Sequence, residues 1–406
     1  QRATITLINK QGEALHPALT WMDEREVATF KEFQEEGGLR RAIPKILWFK
    51  NNLPDLFAKA SKIIFPDVYC YMKLCDQIVT DATNGIWGIL NMNTLQWDDK
   101  LAELYDLPVD LWPELHKPGE IIGELSSEAA ETLGLKKGLP IIVGGGDQQC
   151  AALGLGVINT GQAKATQGTG TFVDYVVDQP IPPVDVPIFS LPHVVEGKWV
   201  IEGVMPGTGT ALKWFRDNFS QLQSKECEAK DIDIFDLLSD EAEKVPPGSE
   251  GLLIIPLYIF KKGTIYGWGF GHTRGYFIRA LMESAALSAQ MYLSLLEGMA
   301  KQKAEELRVD GGGMNSHLWS QIFADVCNKP VRVAENKDGA ALGAAILGFL
   351  GLKTYSSYED AINNMVRFAE TKQAIKENSK VYKKLIRIFM PSVLEIDGKK
   401  RITGKL

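Results

Sequence analysis

The feature that most constrains this chain is a unit that occurs twice. A short apolar strand runs straight into a glycine cluster beside an aspartate, and a helix follows. Leu139-Pro-Ile-Ile-Val143 leads into Gly144-Gly145-Gly146-Asp147 and a small-residue helix from Cys150 to Gly154. Leu307-Arg308-Val309 leads into Asp310-Gly311-Gly312-Gly313, then a helix with Leu318, Trp319, Ile322, Phe323 and Val326 on one face. Glycines at the end of a strand let backbone N–H groups approach a ligand closely, and phosphates are the usual anion there. A third cluster, Gly168-Thr169-Gly170, lies between two strand-like runs and reads as the tip of a β-hairpin. Strand-like and helix-like stretches alternate along the chain, which predicts an α/β architecture. Two similar lobes around a cleft account for the doubled unit, although the sequence carries no repeat.

Local signals frame these units. Ser126 caps a helix with Glu128 in its first turn, Gly134 stops it, and Gly138-Leu139-Pro140 turns the chain toward the first strand. Helical spacing of Ile278, Leu281, Ala285, Tyr292, Leu295 and Met299 predicts a long helix from about Tyr276 to Met299. Val331–Val333 reads as a strand and Asp338–Leu347 as a helix, with closing helices over 356–390 and a tail or edge segment after that. Residues 216–249 read as surface helix and loop. At the start, Thr4–Leu7 alternates polar and apolar, Asn9–Gly12 is a turn, and a second run ends at Trp21. A chain that opens almost inside a strand leads to the expectation of further residues upstream.

Composition narrows the function classes. The 406 residues suffice for two or three domains, and 45% hydrophobic with 23% charged residues is ordinary globular composition. The net charge of −7 argues against nucleic acid as a partner, because a phosphodiester backbone needs a basic face. Apolar runs such as Gly251–Phe260 fall well short of the ~20 residues of a membrane span. Five cysteines without CxxC spacing read as reduced thiols in a cytoplasmic protein, and the five histidines show no metal-ligand pairing.

None of the glycine clusters matches a dinucleotide fingerprint or a P-loop. Asp147, at the carboxyl end of a strand, occupies the kind of crevice where α/β sheets bind ligands. A carboxylate there is suited to accept a hydroxyl proton during phosphoryl transfer, and equally suited to capping the helix behind it.

Taken in order, the motifs resemble those of the FGGY carbohydrate kinases. Trp21-Met-Asp-Glu-Arg25, Pro44-Lys-Ile-Leu-Trp-Phe-Lys50, Val79-Thr-Asp81, Leu95-Gln-Trp-Asp98 and Gly144-Gly-Gly-Asp-Gln-Gln149 follow one another as in that family. Gln167-Gly-Thr-Gly-Thr171, His272-Thr-Arg274, Arg279-Ala-Leu-Met-Glu283, Asp310–Gly313, Trp319 and Ala341-Leu-Gly-Ala-Ala345 complete a collinear set across nearly the whole chain. The resemblance implies an actin-like ATPase (hexokinase-like) fold with two lobes around a cleft. It implies a sugar-binding lobe over 1–157 and a nucleotide-binding lobe over 158–406.

The resemblance also implies ATP and magnesium as cofactors, with a small sugar or polyol as the partner; a homodimer is compatible with it. Asp147 would be the general base, and Gln1, Arg2, Trp21, Asp147 and Gln148 would bind the acceptor. Gly168, Thr169 and Gly170 would meet the phosphates, Gly209 the nucleotide, and Gly312, Gly313 and Ser316 the adenosine. The function implied is transfer of the γ-phosphoryl of ATP to a sugar hydroxyl. A ketopentose such as xylulose is the first choice of acceptor, and glycerol or another polyol the second.

Three departures from the family accompany the match. The DxGT-type hairpin that opens the family, and its metal-side aspartate, have no counterpart; the chain begins roughly 70–80 residues into the pattern. Pro256 reaches Gly263 in 7 steps where the family has a longer loop, so Phe260–Lys261 reads as a shortened junction. Ala3 stands where glycerol kinases carry a polyol-binding glutamate, and Arg40–Ile43 offers no substrate-lining tyrosine. A catalytically inactive sugar-binding regulator on the same fold, and an actin-like polymer, are the readings from other classes.

Overall fold

The computed structural model of this chain describes residues 2–23, 25, 40–182, 188–255 and 263–396. Gln1 and the Phe260–Lys261 junction lie outside the described residues. The chain divides into two compact units. The first comprises Gln1–Ile158, Val177–Ile201 and Ala340–Val366; the second comprises Asn159–Val176, Glu202–Gly339 and Arg367–Leu406.

The first unit is built from small ribbons and helices around one apolar core. Strand Thr6–Ile8 pairs antiparallel with Lys62–Ile64, setting the fully buried Leu7 against Ile63. In helix Ala42–Asn52 the residues Ile43, Ile46 and Phe49 recur every three positions and all are buried in that core. Pro66 opens helix Pro66–Cys75, where its missing N–H costs nothing, and left-handed Asp76 closes it. Ser126 caps helix Ser127–Leu133 by accepting the Ala129 N–H, and left-handed Gly134 ends that helix, both as the sequence predicts.

The apolar run Leu139–Val143 reads as a buried strand, and the structure buries only part of it. Pro140–Ile142 pairs antiparallel with Ile121–Glu124 in a two-stranded ribbon, so Pro140 is exposed and Ile141 and Ile142 are only half-buried. A ribbon of two strands has no third strand to cover it. Val143, the residue after Ile142, is fully buried, and in helix Asp147–Gly154 the residues Gln149 to Gly154 are all buried.

In the second unit, six strands of a seven-stranded sheet lie in the order Phe368–Lys372, Val331–Ala334, Leu307–Asp310, Ala163–Gln167, Thr171–Val177, Trp199–Met205. Leu307–Asp310 runs parallel to both neighbours. The edge strand Phe368–Lys372 pairs antiparallel with Val331–Ala334 and replaces part of the closing helical stretch read from sequence. It is short, and its residues are alternately half-buried and exposed, so its identity comes from pairing rather than from its own pattern. Helix Arg274–Ala300 buries most of its length. Within it Arg279 and Glu283, both buried, pair at 2.8 Å, and Glu283 also accepts the Gly248 N–H at 2.8 Å and the Tyr382 hydroxyl at 2.8 Å. The stretch read as surface helix and loop forms the end of helix Thr208–Phe219 and helices Gln221–Lys230 and Ile234–Glu243. No described helix is long and apolar enough to cross a membrane.

Candidate functional site

Asp147 is the first residue of helix Asp147–Gly154, with Gly146 in the cap position. Its Oδ1 accepts the Gln148 N–H at 2.8 Å and pairs with Arg2 Nε at 3.0 Å. Oδ2 has no hydrogen-bond partner among the described residues, and the side chain keeps 43% of its surface open. The Arg2 guanidinium lies over the Trp87 ring, 5.4 Å from its centroid, a geometry in which the ring face attracts the cation. Arg2 leads into Ala3, which holds a left-handed backbone (φ 56). The Ala3 carbonyl accepts a 2.7 Å hydrogen bond from the buried ammonium of Lys45. Trp21 sits half-buried against the same core, its N–H 3.3 Å from Thr4 Oγ1.

The glycine loop before Asp147 is held from behind by side chains. Tyr71 Oη accepts the Gly144 N–H at 2.8 Å, and Thr83 Oγ1 accepts the Gly146 N–H at 2.6 Å. Thr83 in turn donates its hydroxyl to Asp81, which also accepts the Thr83 N–H at 2.7 Å and Asn84 Nδ2 at 2.8 Å. Asn84 Nδ2 reaches Asp67 Oδ2 at 3.3 Å, and Asp67 accepts the Thr80 hydroxyl at 2.7 Å. Burial, and then the charge of Asp81, push Asp67 up to about 7. Burial raises Asp81 as well, against the donors that surround it. Asp81 has the richer set of donors, and these oppose its rise.

In the second unit the three remaining glycine segments come together around Gln167. The hairpin register pairs Gln167 with Thr171, leaving Gly168, Thr169 and Gly170 as the tip. Thr169 and Gly168 are exposed, whereas Gly170 is buried. The Thr169 carbonyl accepts the N–H groups of Gly209 and Thr210, both at 3.1 Å, which ties the start of helix Thr208–Phe219 to the tip. The approach is so close that a Cβ on Gly209 would lie 1.9 Å from the Gly168 carbonyl oxygen. On the other side Gly311, at φ 92, leaves 2.4 Å between a Cβ and the Gln167 carbonyl oxygen. Thr171 donates to Gln167 Oε1 at 2.6 Å and lies 2.9 Å from Thr208 Oγ1. Beneath the loop, buried Asp310 accepts the Thr166 hydroxyl at 2.5 Å and the Gly339 N–H at 3.1 Å. Burial raises Asp310, and the charge of Lys164 opposes the rise.

Gly168 and Gly312 differ from the packed glycines: a Cβ on either would meet nothing within 4 Å, so each presents an open backbone face. Gly313 packs against the Gln167 side chain. Ser316 is committed locally, capping helix His317–Cys327 through the Trp319 N–H at 3.2 Å and accepting the Ser239 hydroxyl at 3.0 Å. Of the residues selected from sequence, Arg2 and Gln148 contact Asp147 directly in the first unit. Gly168, Thr169, Gly170, Gly209 and Gly313 share contacts around Gln167 and the hairpin tip in the second. Sequence reading passed over Trp87, Tyr71 and Thr83, and took Gln167 only as part of the hairpin motif. The Val79-Thr-Asp81 motif was the available signal, since an aspartate after a strand caps the following helix by accepting the backbone N–H two residues on, here that of Thr83.

Comparison with known proteins follows this geometry. The family model for the FGGY family of carbohydrate kinases, N-terminal domain, matches residues 1–154, and that for the C-terminal domain matches residues 163–352. Autoinducer-2 kinase from Escherichia coli (strain K12) is 34% identical over 360 residues, which cover 84% of this chain. The match spans 66% of that relative's own length, a little under two thirds. Among solved structures, the ligand-bound xylulose kinase from Lactobacillus acidophilus superimposes with a TM-score of 0.85 at 20% identity, covering 98% of this chain and 84% of that one. The glycerol kinase with ADP from Plasmodium falciparum gives 0.82 at 24% identity, covering 97% and 82%. These structures share the actin-like ATPase fold, and the matching family models with the motif order leave one conclusion: the chain belongs to the FGGY family of carbohydrate kinases.

Proposed function

We propose that this protein is an ATP-dependent carbohydrate kinase that transfers a γ-phosphoryl group to a hydroxyl of a small polyhydroxylated acceptor. The observation that carries the reading is the state of the Asp147 carboxylate. One oxygen is fixed by Arg2 and Gln148, and the other has no partner among the described residues and sits on a partly open side chain. A carboxylate held this way suits a general base. Oδ2 takes the acceptor's hydroxyl proton as the oxygen bonds to the γ-phosphorus. The bond from that phosphorus to the β,γ-bridging oxygen breaks, and ADP leaves. Arg2, Trp21 and Gln148, with Gln1 outside the described residues, would line the acceptor side.

On the phosphate side, the open backbone at Gly168, Thr169 and Gly312 would face the nucleotide, with Gly170, Gly209, Gly313 and Ser316 shaping the segments behind. Phosphoryl transfer needs positioning and charge stabilisation more than covalent chemistry, which fits a site made of amides and one carboxylate. No group of three or more His, Cys, Asp or Glu among the described residues is arranged to hold a metal ion. Magnesium would offset the negative charge of the nucleotide phosphates during transfer.

Autoinducer-2 is the first acceptor to try, because kinases named for it are 33–34% identical to this chain. Xylulose is the second, because the Pro44–Lys50 stretch resembles the PKLLWL stretch of xylulokinases. The test is an ATP-coupled assay on the full-length protein against autoinducer-2, xylulose, gluconate and glycerol, repeated with Asp147→Asn. One acceptor should turn over, and Asp147→Asn should lower turnover by ~10²-fold or more while nucleotide affinity stays unchanged. Undiminished turnover in the variant would remove Asp147 from its role. Tight sugar binding without turnover would favour an inactive regulator.

A further inference from the structure

The loop that carries Asp147 is held by side chains that lie far from it in sequence. Two of its three glycine N–H groups are held by hydroxyls, from Tyr71 and from Thr83, and the Thr83 bond is 2.6 Å long and buried. A threonine hydroxyl has one proton and two lone pairs. Thr83 donates that proton's hydrogen bond to Asp81, so a lone pair of Thr83 Oγ1 is turned toward Gly146. Asp81 is itself fixed by the Thr83 N–H and by Asn84. Gly146 is the cap residue of the Asp147 helix, so the direction of its N–H sets where the Asp147 carboxylate begins. A Cβ on Gly146 would lie 3.3 Å from Thr83 Oγ1 and 3.1 Å from Arg2 Cδ, which shows how little room the loop has to shift.

We propose that Thr83, oriented by Asp81, is a positioning residue for Asp147: it holds the Gly146 amide and thereby aims the base at the acceptor hydroxyl. The assignment rests on the kinase reading above and adds a residue to it. Because Thr83 acts through Asp147, its loss alters the chemical step rather than acceptor or nucleotide binding.

The test compares Thr83→Val, which removes the hydroxyl and keeps the shape, with Thr83→Ser, which keeps the hydroxyl. Thr83→Val should lower kcat ~10-fold or more with the acceptor KM little changed, since small misplacements of a catalytic group are costly. Thr83→Ser should restore kcat. In an Asp147→Asn background, Thr83→Val should have no further effect on kcat; losses that multiply would mean that Thr83 acts by general destabilisation and would overturn the proposal. Amide hydrogen exchange supplies a readout that needs no turnover. The Gly146 N–H should be protected in wild type and in Thr83→Ser and exchange faster in Thr83→Val. Free exchange at Gly146 in the wild-type protein defeats the proposal without any variant. If the protein phosphorylates no acceptor, the kinase reading fails by itself, and Gly146 exchange still decides whether Thr83 holds the loop.

Discussion

Gly209→Ala is the most direct probe of the glycine-lined site. The added methyl carbon would sit 1.9 Å from the Gly168 carbonyl oxygen and 3.0 Å from its carbon. Ordinary contact begins near 3.4 Å, so the helix start and the hairpin tip must part by at least about 1.5 Å. Both atoms in the clash are backbone, so no side chain can rotate away. The move breaks the two 3.1 Å bonds from Gly209 and Thr210 to the Thr169 carbonyl, each worth ~1 kcal/mol. Alanine returns up to ~1 kcal/mol of helix propensity. The net cost is on the order of 1–3 kcal/mol. Nucleotide affinity should fall as far as ~10²-fold, because the tip that would meet the phosphates has moved by more than an ångström.

Gly312→Ala is the control: its methyl meets nothing within 4 Å, so the fold should be unaffected, and any loss of nucleotide binding reports directly on the ligand-facing side. Thermal unfolding and titration with a fluorescent ATP analogue measure both quantities. A Gly209→Ala protein that melts within about 1 °C of wild type and binds ATP equally well would refute the close-packing argument.

Two further predictions concern the first unit. The pKa of Asp67 in the folded protein is raised to about 7 from 3.8, so the native state holds a proton that the unfolded chain releases. Its stabilising contribution is complete below about pH 4 and is lost as the pH rises through 7, by at most about 4 kcal/mol. Asp67→Asn abolishes that loss, so its melting temperature relative to wild type should be higher at pH 8 than at pH 5; an equal difference at both would contradict the raised pKa of Asp67. Lys45→Met should leave the Ala3 carbonyl buried without its 2.7 Å donor, at a cost of ~1–3 kcal/mol, and raise the acceptor KM while sparing nucleotide affinity. An unchanged acceptor KM would separate Ala3 from the acceptor side.

Sequence alone determined the local pieces of this protein. Ser126 and Gly134 bound a helix, glycine clusters join strand to helix in the two strand–turn–helix units, and Ile278 to Met299 keep helical spacing, because each depends on neighbours within a turn or two of chain. The order of motifs then carried the family. Tertiary structure decided what those pieces are for. Thr83 meets Gly146 across 63 residues, and Thr166 meets Asp310 across 144. Phe368–Lys372 becomes a strand only because Val331–Ala334 offers it an edge. Segments Val177–Ile201 and Ala340–Val366 return to the first unit after the chain has left it. Such pairings are set by which buried donor finds which acceptor once the chain is compact, and no window of local sequence contains both partners.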